Sequence, residues 1–143
     1  MGRLVYLLDT NTISEPSKQN PNLDVVEKLD KFQDKVSIPI FVIFEMIHGA
    51  YLLAESKKRT KILDYIENTV LELKIFNYTI EAAEWNGKET ARLQRIGKSP
   101  SYIDSQIAAV AKVNNLILVT RNTDDFKYFD DLKLENWFSE KKG

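Results

Sequence analysis

Short apolar runs alternate along this chain with longer stretches in which apolar residues recur every three or four positions. Runs of the first kind are typical of strands buried on both faces, and stretches of the second kind are typical of covering helices. The predicted strands are residues 3–8, 36–38, 71–76 and 116–120, with an edge strand at 132–137. The predicted helices are residues 23–32, 40–53, 56–68, 80–96 and 102–114, with a short helix over 124–129. Strands separated by helices predict an α/β fold, a three-layer α/β/α sandwich around a central, mostly parallel sheet.

The helix predicted over residues 40–53 is apolar on nearly every face, so we expect it to be buried. Pro39 is expected in its first turn, where a missing N–H costs nothing. The helix carries His48, the single histidine of the chain. A structural role for His48 within the apolar helix is favoured over contact with a metal or a phosphate, and a zinc site is not expected without further histidines or cysteines.

Composition limits the classes of protein that this chain can represent. A length of 143 residues fits one domain over residues 1–140, with 141–143 expected as a disordered tail. The absence of cysteine excludes disulfides and a thiol nucleophile and suits the cytoplasm, and we see neither a signal peptide nor an apolar run of membrane-spanning length. Net charge is −1, which argues against a plain nucleic-acid-binding module more than against a nuclease with acidic catalytic residues. Local basic groups at 57–61 and 92–98 are interpreted as solvated helix faces.

Three carboxylates lie in apolar settings. Asp9 ends the first strand, at the position where open α/β sheets bind ligands. Glu45 lies inside the apolar helix, where an ionised carboxylate is costly unless it is paired, bound to metal, or able to reach water at a helix edge. Asp104 shares a helix face with Ile107, although a carboxylate near a helix N-terminus can also be a simple cap.

Convergence of these three carboxylates would favour a cation, because like charges repel without one. Mg²⁺ and Mn²⁺ take oxygen ligands, and such a site activates water for phosphoryl displacement. A second polar cluster follows the strand at 116–120: Thr120 and Asn122 can hydrogen-bond a ligand carboxylate or a metal-bound water, and Arg121 is a candidate contact for an RNA phosphate. No phosphate-binding glycine loop, dinucleotide motif or serine triad is present.

In these motifs the chain resembles PIN-domain ribonucleases, and more narrowly the VapC-type toxins of VapBC toxin–antitoxin pairs. The resemblance covers nearly the whole chain and rests on residues 8–11, 44–50, 102–111, 118–122 and 125–126.

The resemblance implies a PIN-like fold and an endoribonuclease that hydrolyses RNA phosphodiester bonds by metal-activated water, leaving 5′-phosphate and 3′-hydroxyl ends. Asp9, Glu45 and Asp104 match the family's acidic triad, as catalytic residues and as ligands of Mg²⁺ or Mn²⁺. Many members carry a fourth acid where this chain has Asn122, and Asp125 is the candidate to compensate for it.

The resemblance also implies a cytoplasmic homodimer, a cognate VapB-type antitoxin, contact with DNA only through that antitoxin, and tRNA or rRNA as substrate. Asn11 is expected to orient Asp9 through a side-chain hydrogen bond.

Two alternatives stay open. A non-catalytic RNA-binding or scaffold PIN domain usually has a broken triad, whereas all three carboxylates are present here. A phosphatase of the haloacid-dehalogenase type also places an aspartate after its first strand. Such enzymes carry Asp-x-Asp at that point, and here Asn11 replaces the second aspartate, which is the general acid.

Overall fold

A five-stranded parallel sheet forms the middle layer of the molecule, which is described for residues 3–139 by a computed structural model. Its strands are β1 (Tyr6–Leu8), β2 (Val36–Pro39), β3 (Lys74–Phe76), β4 (Ile117–Val119) and β5 (Leu134–Glu135). They lie in the order β3-β2-β1-β4-β5, and each neighbouring pair is parallel. The predicted α/β class and the edge strand are thereby confirmed. The tail predicted at residues 141–143 lies outside the described residues.

Six α-helices within residues 3–139 cover this sheet. They are α1 (Thr10–Ser14), α2 (Leu23–Lys31), α3 (Ile40–Leu52), α4 (Lys57–Asn68), α5 (Ile80–Arg95) and α6 (Tyr102–Val113). Side-chain oxygens cap the four helices α2, α4, α5 and α6 by accepting backbone N–H groups, and they belong to Asn22, Ser56, Thr79 and Ser101. Between residues 3 and 139, none of the helices has the length and apolar character needed to cross a lipid bilayer.

Several predicted boundaries move in the structure. The strand expected from residue 71 starts only at Lys74, because Val70–Glu72 forms a 3₁₀ turn. The short helix expected over 124–129 is reduced to a 3₁₀ turn at Thr123–Asp125. Pro39 ends β2 and caps α3 instead of lying in its first turn. Each of these shifts falls at the end of an element, where the apolar pattern carries little information.

Two hydrophobic cores lie on opposite faces of the sheet. Alternate residues of a strand point to opposite faces, and Leu8 accordingly joins Val42 and Met46 of α3, whereas Leu7 joins Leu93 of α5 and Ala108 of α6. The sheet is therefore buried on both sides, which confirms the three-layer arrangement.

The prediction that the helix at 40–53 is buried on nearly every face is wrong. Only one stripe of α3, at Val42, Met46 and Ala50, is buried. Phe44 is 65% exposed and Leu52 is 73% exposed. The helix belongs to an outer layer, so its second apolar face is largely exposed. Sequence pattern cannot separate a core face from a face reserved for another molecule.

His48 lies on this exposed face, and the structural role favoured for it over contact with a metal or a phosphate stays a prediction. Its ring stacks on Phe44, with 5.5 Å between the ring centroids and an interplanar angle of 11°.

The chain order creates a crevice at one edge of the sheet. Strands β2 and β3 lie on one side of β1. The chain then crosses back and places β4 on the other side of β1. Leu8 of β1 pairs with Val119 of β4, so the residues after both strands emerge next to each other. This reversal of strand order is where open parallel sheets bind ligands.

Candidate active site

Asp9 is fixed at this crevice by the backbone on both sides of it. Its N–H donates to Val119 O at 3.1 Å, which extends the pairing of β1 with β4 by one residue. Its Oδ1 accepts the N–H of Thr12 at 2.9 Å and so caps α1. The side chain is only 8% exposed. A strand and a helix cap together hold this carboxylate in one position.

The expectation that Asn11 orients Asp9 is wrong. No hydrogen bond joins the Asn11 side chain to Asp9 in the structure of residues 3–139, and Asn11 is exposed. The orienting donor is the Thr12 backbone N–H, because the chain enters a helical turn directly after β1.

Asp9, Glu45 and Asp104 line one pocket of about 100 Å³ at the crevice. They reach it from the end of β1, the middle of α3 and the first turn of α6. The other residues that line the pocket are Thr10, Asn11, Ile103, Ile107, Thr120, Asn122 and Phe126. Three carboxylates distant in sequence thus face one small space together with neutral oxygen and amide groups.

Burial and like charge raise the pKa of two of these carboxyls. For Glu45, burial raises the pKa, the nearby Thr10 hydroxyl opposes the rise, and the charges of Asp9 and Asp104 add to it. For Asp104, burial again raises the pKa, Ser101 opposes it, and the charges of Asp125 and Asp9 add to it. Both groups are therefore more costly to ionise here than in water.

The donor chemistry of the pocket fits a hard divalent cation. The lining carboxylate, hydroxyl and amide oxygens are ligands that Mg²⁺ and Mn²⁺ prefer. The buried Thr10 hydroxyl has no hydrogen bond of good geometry within the described part of the chain. No three acidic or histidine side chains among residues 3–139 are drawn together tightly enough to form a ready-made metal centre. The three carboxylates share the walls of one pocket.

Glu45→Gln is expected to raise the melting temperature of the protein in EDTA, because it removes one of three repelling charges. The carboxyls are half-buried and partly screened, so we expect about 1 kcal/mol, or roughly 2–4 °C. The folded-state pKa of Glu45 is raised, so ionisation of this carboxyl lowers the stability of the parent protein. This loss of stability is full above the raised pKa and disappears as the pH falls towards the ordinary glutamate pKa. The gain should therefore be largest at neutral pH and shrink under acid conditions.

Thermal melts from acid to neutral pH measure this difference, with the exposed Glu55→Gln as the matched control. Equal melting temperatures for the parent and Glu45→Gln at neutral pH would contradict charge repulsion in the pocket.

Thr120 and Asn122 form the β4 side of the pocket. Thr120 is fully buried, and its Oγ1 accepts the N–H of Asn122 at 3.0 Å. This bond shapes the turn after β4 and brings Asn122 to the pocket wall.

Asp125 instead lies with Asp104 in a neighbouring cleft. Arg121 is exposed and packs 4.6 Å from the Phe138 ring, outside the pocket, so its contact with RNA stays a prediction.

The two basic groups at residues 57–61 and 92–98 contain side chains with different contacts. Arg59 donates to the carbonyls of Ala50 and Tyr51 and covers the Tyr51 ring, so it ties α4 to α3. In the second cluster, Arg92 pairs with Glu89, whereas Lys98 lines the cleft that adjoins Asp104.

Sequence reasoning missed two side chains near the site, Glu89 and Tyr128. Glu89 is buried and binds both Arg92 and the N–H of Asp130. Its spacing from Arg92 signals a helix pair, but nothing local signals the contact with Asp130. Tyr128 faces the cleft beside Asp104, and a lone tyrosine in a polar loop gives no sequence signal of that kind.

Comparison with known proteins identifies relatives of similar sequence and fold. The PIN domain family model matches residues 6–132. The tRNA(fMet)-specific endonuclease VapC of Shigella flexneri is 32% identical over 134 residues, which cover 94% of this chain and 98% of that protein. The FitAcB structure from Neisseria gonorrhoeae has a TM-score of 0.83 at 31% identity, covering 92% of this chain and 97% of the other. The DNA-bound VapBC structure from Salmonella typhimurium has a TM-score of 0.80 at 28% identity, covering 94% and 98%.

Proposed function

The chain belongs to the PIN-domain family, and we propose that it is an Mg²⁺- or Mn²⁺-dependent endoribonuclease that acts as the toxin of a toxin–antitoxin pair. The observation that carries this proposal is the meeting of Asp9, Glu45 and Asp104 in one pocket at the carboxyl end of the parallel sheet. The relatives named as VapC nucleases span almost the same length as this chain, which supports a shared activity.

In the proposed reaction a water hydrolyses an RNA phosphodiester bond and leaves a 5′-phosphate and a 3′-hydroxyl. Asp9, Glu45 and Asp104 would hold the cation, which when bound activates water and offsets charge on the scissile phosphate. Asp9 is kept in place by the cap of α1, so it needs little rearrangement. Asn122 presents an amide that can orient a water by hydrogen bonding. Because Asn122 adds no negative charge, the three carboxylates provide for one cation in the free enzyme.

The proposed partner is a VapB-type antitoxin that occludes the pocket and makes the contacts with DNA. Solved relatives are toxin–antitoxin complexes, and some of these contain DNA. The net charge of −1 suits a toxin that leaves DNA binding to its partner. We place the enzyme in the cytoplasm, where tRNA and rRNA substrates are found.

Cleavage of purified tRNA and rRNA in Mg²⁺ or Mn²⁺, compared with EDTA, tests the function, and mapping of the fragment ends locates the cut. Cation-dependent cuts that carry 5′-phosphates support it. Binding of RNA without any cleavage would favour a scaffold domain, and hydrolysis of a small phosphomonoester alone would favour a phosphatase.

We also propose that the exposed face of α3 joins two copies of the chain. Phe44, Ile47 and Tyr51 recur on this face at helical spacing and are 65%, 39% and 58% exposed. A contiguous apolar face of this kind is unusual on a monomer, and a twofold axis can pair such a face with itself.

Phe44→Glu is therefore expected to convert a dimer into a monomer, because it places a charge in the centre of the paired faces. Light scattering during gel filtration measures the mass of each species. Leu23→Glu is the matched control, since Leu23 is 75% exposed and belongs to α2 instead of α3. A Phe44→Glu protein that stays dimeric would show that α3 is not the interface.

A further inference from the structure

A cleft of about 380 Å³ lies directly beside the carboxylate pocket, and Asp104 lines both. This volume falls at the small end of the range for ligand pockets, where one nucleotide unit fits better than a folded segment. The cleft runs between the loop that enters α6 and the loop that carries Tyr128. Any group seated in it therefore adjoins the bond that the carboxylates would act on.

An aromatic ring on a fixed backbone forms one wall of this cleft. Tyr128 is 45% exposed, and its carbonyl accepts the Arg92 guanidinium at 2.9 Å. Arg92 is itself held by Glu89, which also binds the N–H of Asp130. Two hydrogen bonds from one helix thus fix the backbone on both sides of Phe129. The Tyr128 ring is partly exposed, so it can serve as a stacking surface.

The charges along the cleft select which part of a nucleotide can enter it. Asp104 and Asp125 lie on its walls and would repel a phosphate placed between them. Lys98 is the single cation among the lining residues, and its Nζ lies 4.2 Å from the Tyr128 ring centroid. A base can take this face of the ring, and the flexible Lys98 ammonium can then turn to the adjoining phosphate.

We propose that this cleft holds the base of the nucleotide next to the scissile phosphate of single-stranded RNA, with the base stacked on Tyr128 and its phosphate contacted by Lys98. The inference rests on the proposed function, since it assigns a substrate subsite to the same active site.

Steady-state cleavage of a single-stranded oligoribonucleotide tests the subsite. Loss of base stacking costs about 1–3 kcal/mol, so Tyr128→Ala should raise KM roughly 5- to 150-fold and change kcat little. Tyr128→Phe restores the ring and should recover the low KM. Lys98→Ala should also raise KM. Lys127→Ala is the matched control, because Lys127 lies 5.2 Å from the same ring centroid but does not line the cleft.

Fluorescence of 2-aminopurine supplies a readout that does not depend on cleavage. Short oligoadenylates with the probe at successive positions are titrated with protein in EDTA, and stacking on Tyr128 should quench one position in the parent but not in Tyr128→Ala. Quenching without cation-dependent cleavage would uphold the subsite and overturn the nuclease function. Cleavage with no such quenching, and with the KM of Tyr128→Ala equal to that of Lys127→Ala, would overturn the subsite alone.

Discussion

Asp104→Asn is expected to lower the rate of RNA cleavage at least about 1,000-fold, a loss of roughly 4 kcal/mol of transition-state stabilisation. The substitution keeps the size of the side chain but removes a negative charge from the pocket. The cap of α6 should survive, because Ser101 Oγ accepts the backbone N–H of residue 104, which the substitution keeps. Single-turnover cleavage in saturating Mg²⁺ or Mn²⁺ measures the effect.

Asp9→Asn should cause a loss of similar size for the same reason. The amide oxygen of asparagine can still accept the Thr12 N–H, so α1 keeps its cap. Circular dichroism should show both variants folded, with melting temperatures in EDTA equal to or above that of the parent.

Asp124→Asn is the matched control for both variants. Its carboxylate is exposed and pairs with Lys127 at 3.4 Å, and it lines neither the pocket nor the cleft. It should cleave at the parental rate. Cleavage at the parental rate by Asp104→Asn would show that Asp104 is not a catalytic residue. Unfolding of both Asp9→Asn and Asp104→Asn would show that these carboxylates have a structural role instead.

The features that sequence predicted are those encoded locally. The β1 run followed by Asp9 marks a strand and a ligand-binding edge within a few residues. The apolar sequence around Glu45 and Asp104 indicates carboxylates whose ionisation is costly unless a partner group compensates for it. Because a parallel sheet gathers the ends of its strands at one edge, these local signals suffice to predict a common pocket.

The features that sequence did not predict depend on contacts between distant segments. The orientation of Asp9 depends on a helical turn at Thr10–Ser14 that is too short to show an apolar period. The exposure of α3 depends on which of its two apolar faces meets the sheet, and both faces look alike in sequence. From sequence alone Glu89 looks like an exposed helix residue, because its contact with Asp130 comes from a loop 41 positions later in the chain.

The contact with that loop gives the second large effect, since Glu89→Ala is expected to destabilise the fold by about 2–3 kcal/mol, or roughly 4–12 °C in melting temperature. Glu89 is only 7% exposed, and it accepts two hydrogen bonds from Arg92 and one from the backbone N–H of Asp130. Removing the carboxylate leaves that N–H without its partner and releases Arg92. Partial exposure of Arg92 keeps the cost below that of a fully buried ion pair.

Glu84→Ala on the same helix is the control, because Glu84 is exposed and should change stability by less than about 0.5 kcal/mol. The bond to Arg92 is the main cause of the lowered pKa of Glu89, and burial only partly opposes it. Its stabilisation is therefore complete above the ordinary glutamate pKa and is lost as the pH falls through the lower folded-state value. The gap in melting temperature between parent and Glu89→Ala should stay constant near neutrality and close in acid. A gap that persists unchanged in acid would assign the effect to lost packing instead of to the carboxylate.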